Sequence, residues 1–178
     1  MKDINLYGAT RIPFSDISPD SYISTDNILP QCGGVVPYDG ALNIGSVVKY
    51  VAGDILVSNI RPYLKKLWLA DRDGGCSPDV LVFRVTKPEV IDAGYLSYCL
   101  KQDSFFEFMM SGKKGMKMPR GDKGAIPNFV VPVPPLDKQK KIVAEVEGYE
   151  AEIAKARAVM VSASVKKQAI LKSYGIVL

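Results

Sequence analysis

The C-terminal stretch LDKQKKIVAEVEGYEAEIAKARAVMVSASVKKQAILKSYG, residues 136–175, decides the fold of this chain. Apolar residues recur in it at alternating spacings of four and three. The positions of this series are Ile142, Val146, Tyr149, Ile153, Ala156, Met160, Ala163, Lys167, Ile170 and Tyr174, and Lys167 alone is polar. Such a heptad seam is typical of a coiled coil, so the stretch predicts one long helix that packs against a second helix.

The expected length of this helix indicates a dimer. Pro135 suits its first turn, and a helix over about 136–173 is roughly 55 Å long at 1.5 Å per residue. Because that is about twice the width of the domain expected before it, we expect the helix to project and to pair with a second copy. The alternative, an ordinary amphipathic helix packed on its own domain, fits the strict heptad spacing less well. The apolar seam residues are therefore the predicted dimer interface.

Charges that flank the seam favour antiparallel pairing of the two copies. A parallel pair places Glu145 against Glu150 of the other copy, and symmetry repeats this repulsion. An attraction between Glu152 and Arg157 compensates for it in the same pairing. An antiparallel pair centred near Ile153 instead places Glu145 by Lys166 and Glu150 by Arg157. Exposed ion pairs contribute only about 0.3 to 0.5 kcal/mol each, so they select the direction of pairing and do not drive association.

The composition predicts one globular domain before the helix. The chain has 178 residues, of which 47% are apolar and 24% are charged, and this is enough for one domain with a core but not for two. No apolar run approaches the ~18 residues that a membrane span requires, so no membrane partner is expected. Pro134-Pro135 divides the chain into a domain at 1–134 and a helix at 135–178.

The fold class expected from the pattern is α+β, with a small mixed domain before the long helix. Ile55–Ser58 and Lys66–Ala70 are expected to form a hairpin, and Asp79–Val85 a central strand. Helical spacing extends from Asp92 to about Met110. The prolines around Ile126–Val133 predict a short edge strand there. Trp68, within the hairpin, is expected in the core.

Several classes of catalytic site lack their residues in this chain. It has no histidine, which removes Ser/His and Cys/His catalysis and the commonest zinc ligand. Cys32, Cys76 and Cys99 form no C-x-x-C pair, so they are interpreted as small apolar residues in a reducing cytoplasm. Phosphate-binding and nucleophile-elbow motifs are missing too, and Pro78-Asp79 is interpreted as the entry to a strand. We expect a chain without catalytic residues or a metal.

Basic residues gather in two places, although residues 1–136 carry 15 Lys and Arg against 14 Asp and Glu. The first cluster, Arg61, Lys65 and Lys66 with Tyr63 beside it, fits a nucleic-acid contact and fits a solvated edge strand equally well. The second favours an anion, because five cations within eleven residues repel one another without one. The candidate DNA-binding residues are Arg61, Tyr63, Lys65, Lys66, Lys113, Lys114, Lys117, Arg120 and Lys123.

Three segments of the sequence resemble one known family. They are GDILVSNIRPYLKKLW at 53–68, Ser77–Phe83, and Ile126-Pro127 leading to VPPLDKQKKIV at 133–143. The last contains a PPL-x-x-Q stretch at Pro134, Pro135, Leu136 and Gln139. Together they are similar to the DNA-specificity subunits of type I restriction-modification systems, in which this stretch ends a target-recognition domain and opens a long spacer helix.

The resemblance implies a function in DNA recognition without catalysis. In this family an adenine methylase subunit uses S-adenosylmethionine, a restriction and translocation subunit uses ATP and Mg, and the specificity subunit selects the sequence of the double-stranded DNA. Members usually carry two recognition domains and two antiparallel helices, and each domain reads half of a split site. This chain has one of each, which implies a homodimer and a bipartite target. The alternative is a coiled-coil adaptor whose globular part binds protein and not DNA.

Overall fold

The computed structural model describes residues 4–6, 10–40, 45–111 and 118–176, with the backbone alone for 4–6. The chain divides into two compact units, Met1–Gln139 and Lys140–Leu178. The mixed sheets of the first unit and the long helix confirm the α+β class.

Two four-stranded sheets form the centre of the first unit. The strands are β1 (Ile4–Leu6), β2 (Arg11–Pro13), β3 (Tyr22–Ile23), β4 (Ser46–Tyr50), β5 (Ile55–Ser58), β6 (Leu67–Leu69), β7 (Gly74–Cys76) and β8 (Val80–Val85). One sheet has the order β1-β8-β5-β6 and is antiparallel throughout. The other has the order β2-β4-β7-β3, in which β3 and β7 run parallel. The predicted hairpin is β5 and β6, and the predicted central strand is β8 with a partner on each side.

The core lies between the sheets because successive side chains of a strand point to opposite faces. Leu56, Val82 and Trp68 belong to one buried cluster with Tyr50 and Cys76 of the other sheet. Trp68 is 9% exposed and its ring contacts that of Tyr50 edge-on at 5.9 Å, which confirms its assignment to the core.

The other face of the first sheet is covered by two helices where the sequence predicted one. They are α1 (Ala93–Leu100) and α2 (Asp103–Ser111), and the Phe105 ring of α2 packs edge-on against Phe83 of β8 at 5.9 Å. The prediction of a single helix over Asp92–Met110 was wrong, because the spacing between apolar residues increases to five between Leu100 and Phe105. The chain therefore breaks at 101–102, and each helix buries its own apolar residues.

The edge strand predicted over Ile126–Val133 was also wrong. Ile126–Asn128 forms a 3-10 turn, and the following residues up to the long helix have no regular structure. Proline has no backbone N–H to give to a ladder, and Pro127 and Pro132 interrupt this segment. The Phe129 ring lies 5.1 Å from that of Phe105, so side-chain packing holds the segment in place of strand pairing.

The long helix, α3, spans Leu136–Ser173, and its beginning is fixed by one buried side chain of the first unit. Gln139 is 0% exposed. Its Nε2 donates to the carbonyl oxygens of Val90 and Pro134 at 2.9 and 2.7 Å, and its Oε1 accepts from the backbone N–H of Asp92 at 2.9 Å. The amide therefore joins the first turn of α3 to the segment that leads into α1.

The second unit contains the remainder of α3, and most of its apolar seam is exposed. Tyr149, Ile153, Met160, Ile170 and Tyr174 are 50 to 80% exposed, while Ile142 and Val146 are half-buried. Among the helices of the described residues, none is long and apolar enough to cross a membrane. The predicted interface residues up to Ile170 thus lie on one helix, and Tyr174 directly follows its end. Most of their side chains are exposed.

Candidate functional site

The loop between β5 and β6 presents the first basic cluster on a rigid turn. Arg61 and Lys65 have left-handed backbones, with φ of 50° and 51°, and they enclose a 3-10 turn at Pro62–Leu64. Pro62 is buried and fixes the turn, whereas Tyr63 is 50% exposed and Arg61 is exposed. Arg61 and Tyr63 are therefore the side chains of this loop that face solvent.

The two lysines of the cluster are used within the domain. The Lys65 ammonium forms an ion pair with the Asp103 carboxylate of α2 at 2.7 Å, and Lys66 Nζ donates to the Thr25 carbonyl oxygen at 2.6 Å. Both amines hold the loop against neighbouring segments, which gives them a structural role that charge counting did not foresee. Contact of Lys65 and Lys66 with DNA remains a prediction.

The second basic cluster is only partly described. Lys113, Lys114 and Lys117 lie outside the described residues. The Arg120 guanidinium contacts the Asp79 carboxylate at 3.3 and 3.4 Å, and Lys123 Nζ donates to the Pro78 carbonyl oxygen at 3.0 Å. Residues 78–79 do lead into a strand, as predicted, because β8 begins at Val80.

The described part of the second cluster lies beside the first, although the sequence separates the two by about fifty residues. Ile60 and Arg120 form an antiparallel bridge, and the Arg61 N–H donates to the Pro119 carbonyl oxygen at 2.8 Å. The Gly121 N–H donates to the Asn59 carbonyl oxygen at 3.3 Å. One continuous edge of the domain therefore carries Arg61, Tyr63 and Arg120, which we call the basic edge.

A second loop that the sequence analysis missed packs against this edge. The Gln31 N–H donates to the Leu64 carbonyl oxygen at 2.9 Å, and the Cys32 N–H donates to that of Lys65 at 2.8 Å. Gly33 and Gly34 signal a turn here, but no local pattern reveals that this turn pairs with residues more than thirty positions away. Gln31 is exposed, and its backbone partner Leu64 directly follows Tyr63 in the sequence.

The cysteines behave as packing residues where the structure describes them. Burial, and to a lesser extent the charge of Asp54, raises the pKa of the Cys76 thiol to about 12, and burial also raises the pKa of Cys99. Cys76 is thus a protonated thiol at neutral pH and a poor nucleophile. Within the described ranges, no three Cys, Asp or Glu side chains gather as a metal site would need.

One ion pair of the sheet that carries the basic edge has a buried carboxylate, Asp54. Arg84 of β8 donates from Nε and one terminal nitrogen to the two carboxylate oxygens of Asp54 at 2.8 and 2.6 Å, and the Asp54 side chain also accepts from the Val51 N–H at 2.8 Å. Hydrogen bonding to Asp54 raises the pKa of Arg84. These hydrogen bonds give the Asp54–Arg84 ion pair a structural role.

Comparisons with known proteins indicate one family for this chain. The family model "Type I restriction modification DNA specificity domain" matches residues 48–160. Over 99 residues the chain is 30% identical to the type I restriction enzyme EcoDI specificity subunit of Escherichia coli, which is 56% of this chain and 21% of that protein. The chain thus matches about a fifth of that relative's length.

Solved structures share the fold. The HsdS subunit of Thermoanaerobacter tengcongensis superposes with a TM-score of 0.63 at 21% identity, covering 92% of this chain and 47% of that one. A chain from a structure on complex assembly and conformational transition of the type I R-M system gives 0.66 at 21% identity, with coverage of 93% and 48%. The type I S subunit of M. genitalium gives a TM-score of 0.57 at 14% identity, covering 94% of this chain and 45% of that one.

The chain therefore spans just under half of each of these structures. The family model covers well over half of this chain, and it includes β5, β6, β8, both short helices and the first part of α3. On this match, the chain belongs to the type I restriction-modification DNA specificity family.

Proposed function

We propose that this chain provides one DNA-recognition unit of a specificity subunit and binds double-stranded DNA through the basic edge. Family membership supports this proposal, and the observation that carries it is the bridge between Ile60 and Arg120, which brings Arg120 of the second cluster beside the first. Cations from two distant segments on one edge form a surface that can follow a phosphate backbone.

The roles of the individual residues differ according to their contacts. Arg61 and Tyr63 are exposed on a rigid turn and are assigned to direct contact with the duplex. Lys65 and Lys66 position that turn through their own partners and add positive charge to it. Lys113, Lys114 and Lys117, with Arg120 and Lys123, are assigned to phosphates.

Two copies pair through α3 in the antiparallel direction. The support is the exposed seam centred near Ile153, together with the charge pattern that opposes a parallel pair. Val159, Val161 and Val165 lie off the seam and are 63 to 68% exposed. They offer a face to a further subunit, which we assign to the adenine methylase, with the restriction and translocation subunit joining the same complex.

The chain itself contributes recognition and no chemistry in this proposal. S-adenosylmethionine, ATP and Mg are bound by the partner subunits, and the complex acts on DNA in the cytoplasm. A coiled-coil adaptor that binds only protein is the competing function, and a salt-dependent shift of duplex DNA by the purified chain, alone or with its methylase, separates the two.

Replacement of Lys113, Lys114 and Lys117 by Ala is expected to weaken DNA binding equally for all sequences. Removing one lysine–phosphate interaction reduces the slope of log affinity against log salt by about 0.9, so the slope should fall by up to ~3. Titration of duplex DNA at several salt concentrations measures it. An unchanged slope in the assembled complex would remove these lysines from the interface.

The DNA target of the homodimer is expected to be a split palindrome. Each recognition domain is attached at the N-terminal end of its helix, so an antiparallel pair with a twofold axis carries identical domains at opposite ends and reads inverted half-sites. Insertion of one heptad in α3 adds about 10 Å and should lengthen the unread gap by roughly three base pairs, with the half-sites unchanged. Methylation mapping by long-read sequencing gives the answer, and a non-palindromic motif would contradict a homodimer.

A further inference from the structure

Backbone strain in the described residues is concentrated in two turns that face each other. Gln31, Cys32, Arg61 and Lys65 have φ between 50° and 55°, and they are the only described residues other than glycine with positive φ. Glutamine and arginine adopt this conformation at a cost, and such strain persists where the surrounding structure enforces it. The four residues belong to the Gln31-Cys32 turn and to the loop between β5 and β6.

Hydrogen bonds close each turn and join the two. The Leu29 N–H donates to the Gly34 carbonyl oxygen at 2.8 Å and closes the first turn. The Leu64 N–H donates to the Arg61 carbonyl oxygen at 2.9 Å and closes the other turn. The Gln31 N–H then donates across to the Leu64 carbonyl oxygen at 2.9 Å. The backbone of both turns is therefore fixed before any ligand binds, which lowers the entropic cost of binding.

The strained residues differ in what their side chains do. Cys32 Sγ lies 3.4 Å from the Lys65 carbonyl oxygen, and the Lys65 ammonium pairs with Asp103. The side chains of Gln31 and Arg61 form no hydrogen bond or ion pair with any residue in the described ranges, and both are exposed. The fold uses the backbone of these two residues and leaves an amide and a guanidinium facing solvent.

Glycine would make the same backbone without strain. The chain has glycine at 33 and 34, directly after this turn, yet it carries glutamine at 31 and arginine at 61. Because the side chains add nothing to the described contacts of the fold, their role lies outside it. Their chemistry fits one class of ligand, since an amide pairs in two places with adenine N6 and N7, and a guanidinium with guanine O6 and N7.

We propose that Gln31 is a specificity-determining residue that reads an adenine edge in the major groove, beside a guanine read by Arg61. This inference rests on the proposed function of the basic edge and adds a residue from outside its basic clusters. The rigid pair of turns fixes the backbone positions from which both side chains extend, so that the identity of the base, and not the total charge, decides the fit.

Selection from a random-sequence duplex library, followed by sequencing, tests this inference with the full chain. Gln31→Gly keeps the left-handed backbone and should retain or raise the melting temperature. We expect it to lose preference at one position of each half-site, with roughly tenfold less discrimination there and an unchanged salt slope. Gln31→Glu should change the preferred base at that position from adenine to cytosine, because a carboxylate accepts from cytosine N4.

Gln168→Ala, an exposed glutamine of α3, is the matched control and should select the wild-type motif. If Gln31→Gly is stable and selects an unchanged motif, the inference is wrong and the proposed function stands. If Gln31→Gly melts earlier and loses binding to all duplexes alike, Gln31 is structural and the inference is wrong. If the wild-type chain enriches no motif in a complex with its methylase, the proposed function fails and the inference fails with it.

Discussion

Ile153→Asp is expected to convert the chain from a dimer into a monomer. Ile153 lies at the middle of the seam, and in the antiparallel pair its side chain faces Ala156 of the other copy. The substitution places two carboxylates in the centre of the interface without a cation, and an unpaired buried charge costs several kcal/mol. A destabilisation of about 4 kcal/mol raises the dimer Kd about a thousandfold. Light scattering or sedimentation equilibrium at tens of micromolar measures the change.

Val161→Asp is the matched control for this substitution. Val161 is an apolar residue of the same helix that lies off the seam and is 65% exposed, so an aspartate there leaves the seam intact and the chain dimeric. A wild-type chain that is monomeric at these concentrations would contradict the interface. Equal dissociation of both variants would place the interface on another face of α3.

In the proposed function, dimerisation also determines how the basic edge binds DNA. A monomer carries one basic edge and reads one half-site, whereas two edges on one assembly bind at a high effective concentration. Ile153→Asp should therefore weaken binding to a split palindrome far more than binding to a single half-site. This comparison separates loss of assembly from damage to the recognition domain.

The local part of the fold could be predicted from the sequence, because its signals are local. β5 and β6 are apolar runs on either side of a short turn, and they pair with Leu56 opposite Trp68. The heptad series predicts α3 in the same way, since every seam residue lies three or four positions from the next. In these elements, the residues that form the sequence pattern are close in sequence to those that they pair or pack with in the structure.

Strand β7 of the second sheet left no such signal. β7 is Gly74-Gly75-Cys76, which has low strand propensity, and its partners come from β4 and β3. Glycine is required there by close approach, because a β-carbon on Gly74 would collide with the Ser21 carbonyl oxygen and one on Gly75 with the Val47 side chain. Packing between distant segments selects these residues, so periodicity cannot reveal the strand.

The same limit applies to the candidate site. Charge counting found Arg61 and Arg120, but their adjacency depends on pairing across about sixty residues. The Asp79 carboxylate that holds Arg120 lies 41 positions away, and Asp103, which holds Lys65, lies 38 away. The sequence therefore identified the charges of the basic edge and could not identify which of them the fold uses for itself.

Gln139→Leu is expected to destabilise the chain by about 3 to 5 kcal/mol. Leucine has a similar volume but leaves the Asp92 N–H and the carbonyl oxygens of Val90 and Pro134 without their present partner. Each of these partly buried groups costs towards the lower end of about 1 to 3 kcal/mol. The effect is large against a typical total of 5 to 15 kcal/mol. Urea unfolding, monitored by the fluorescence of Trp68, measures the difference.

Two further variants test whether the polarity of the Gln139 side chain, and not its volume, provides this stability. Gln168→Leu makes the same change at an exposed position of α3 and should alter stability by less than about 0.5 kcal/mol. Gln139→Glu can still accept from Asp92 but directs a carboxylate at two carbonyl oxygens, so its protonated form is favoured in the folded state. The folded chain then binds more protons than the unfolded one, and the deficit of this variant should shrink as pH falls from about 7 towards 4. A Gln139→Leu variant as stable as the wild type would mean that the start of α3 is held by apolar packing and not by this amide.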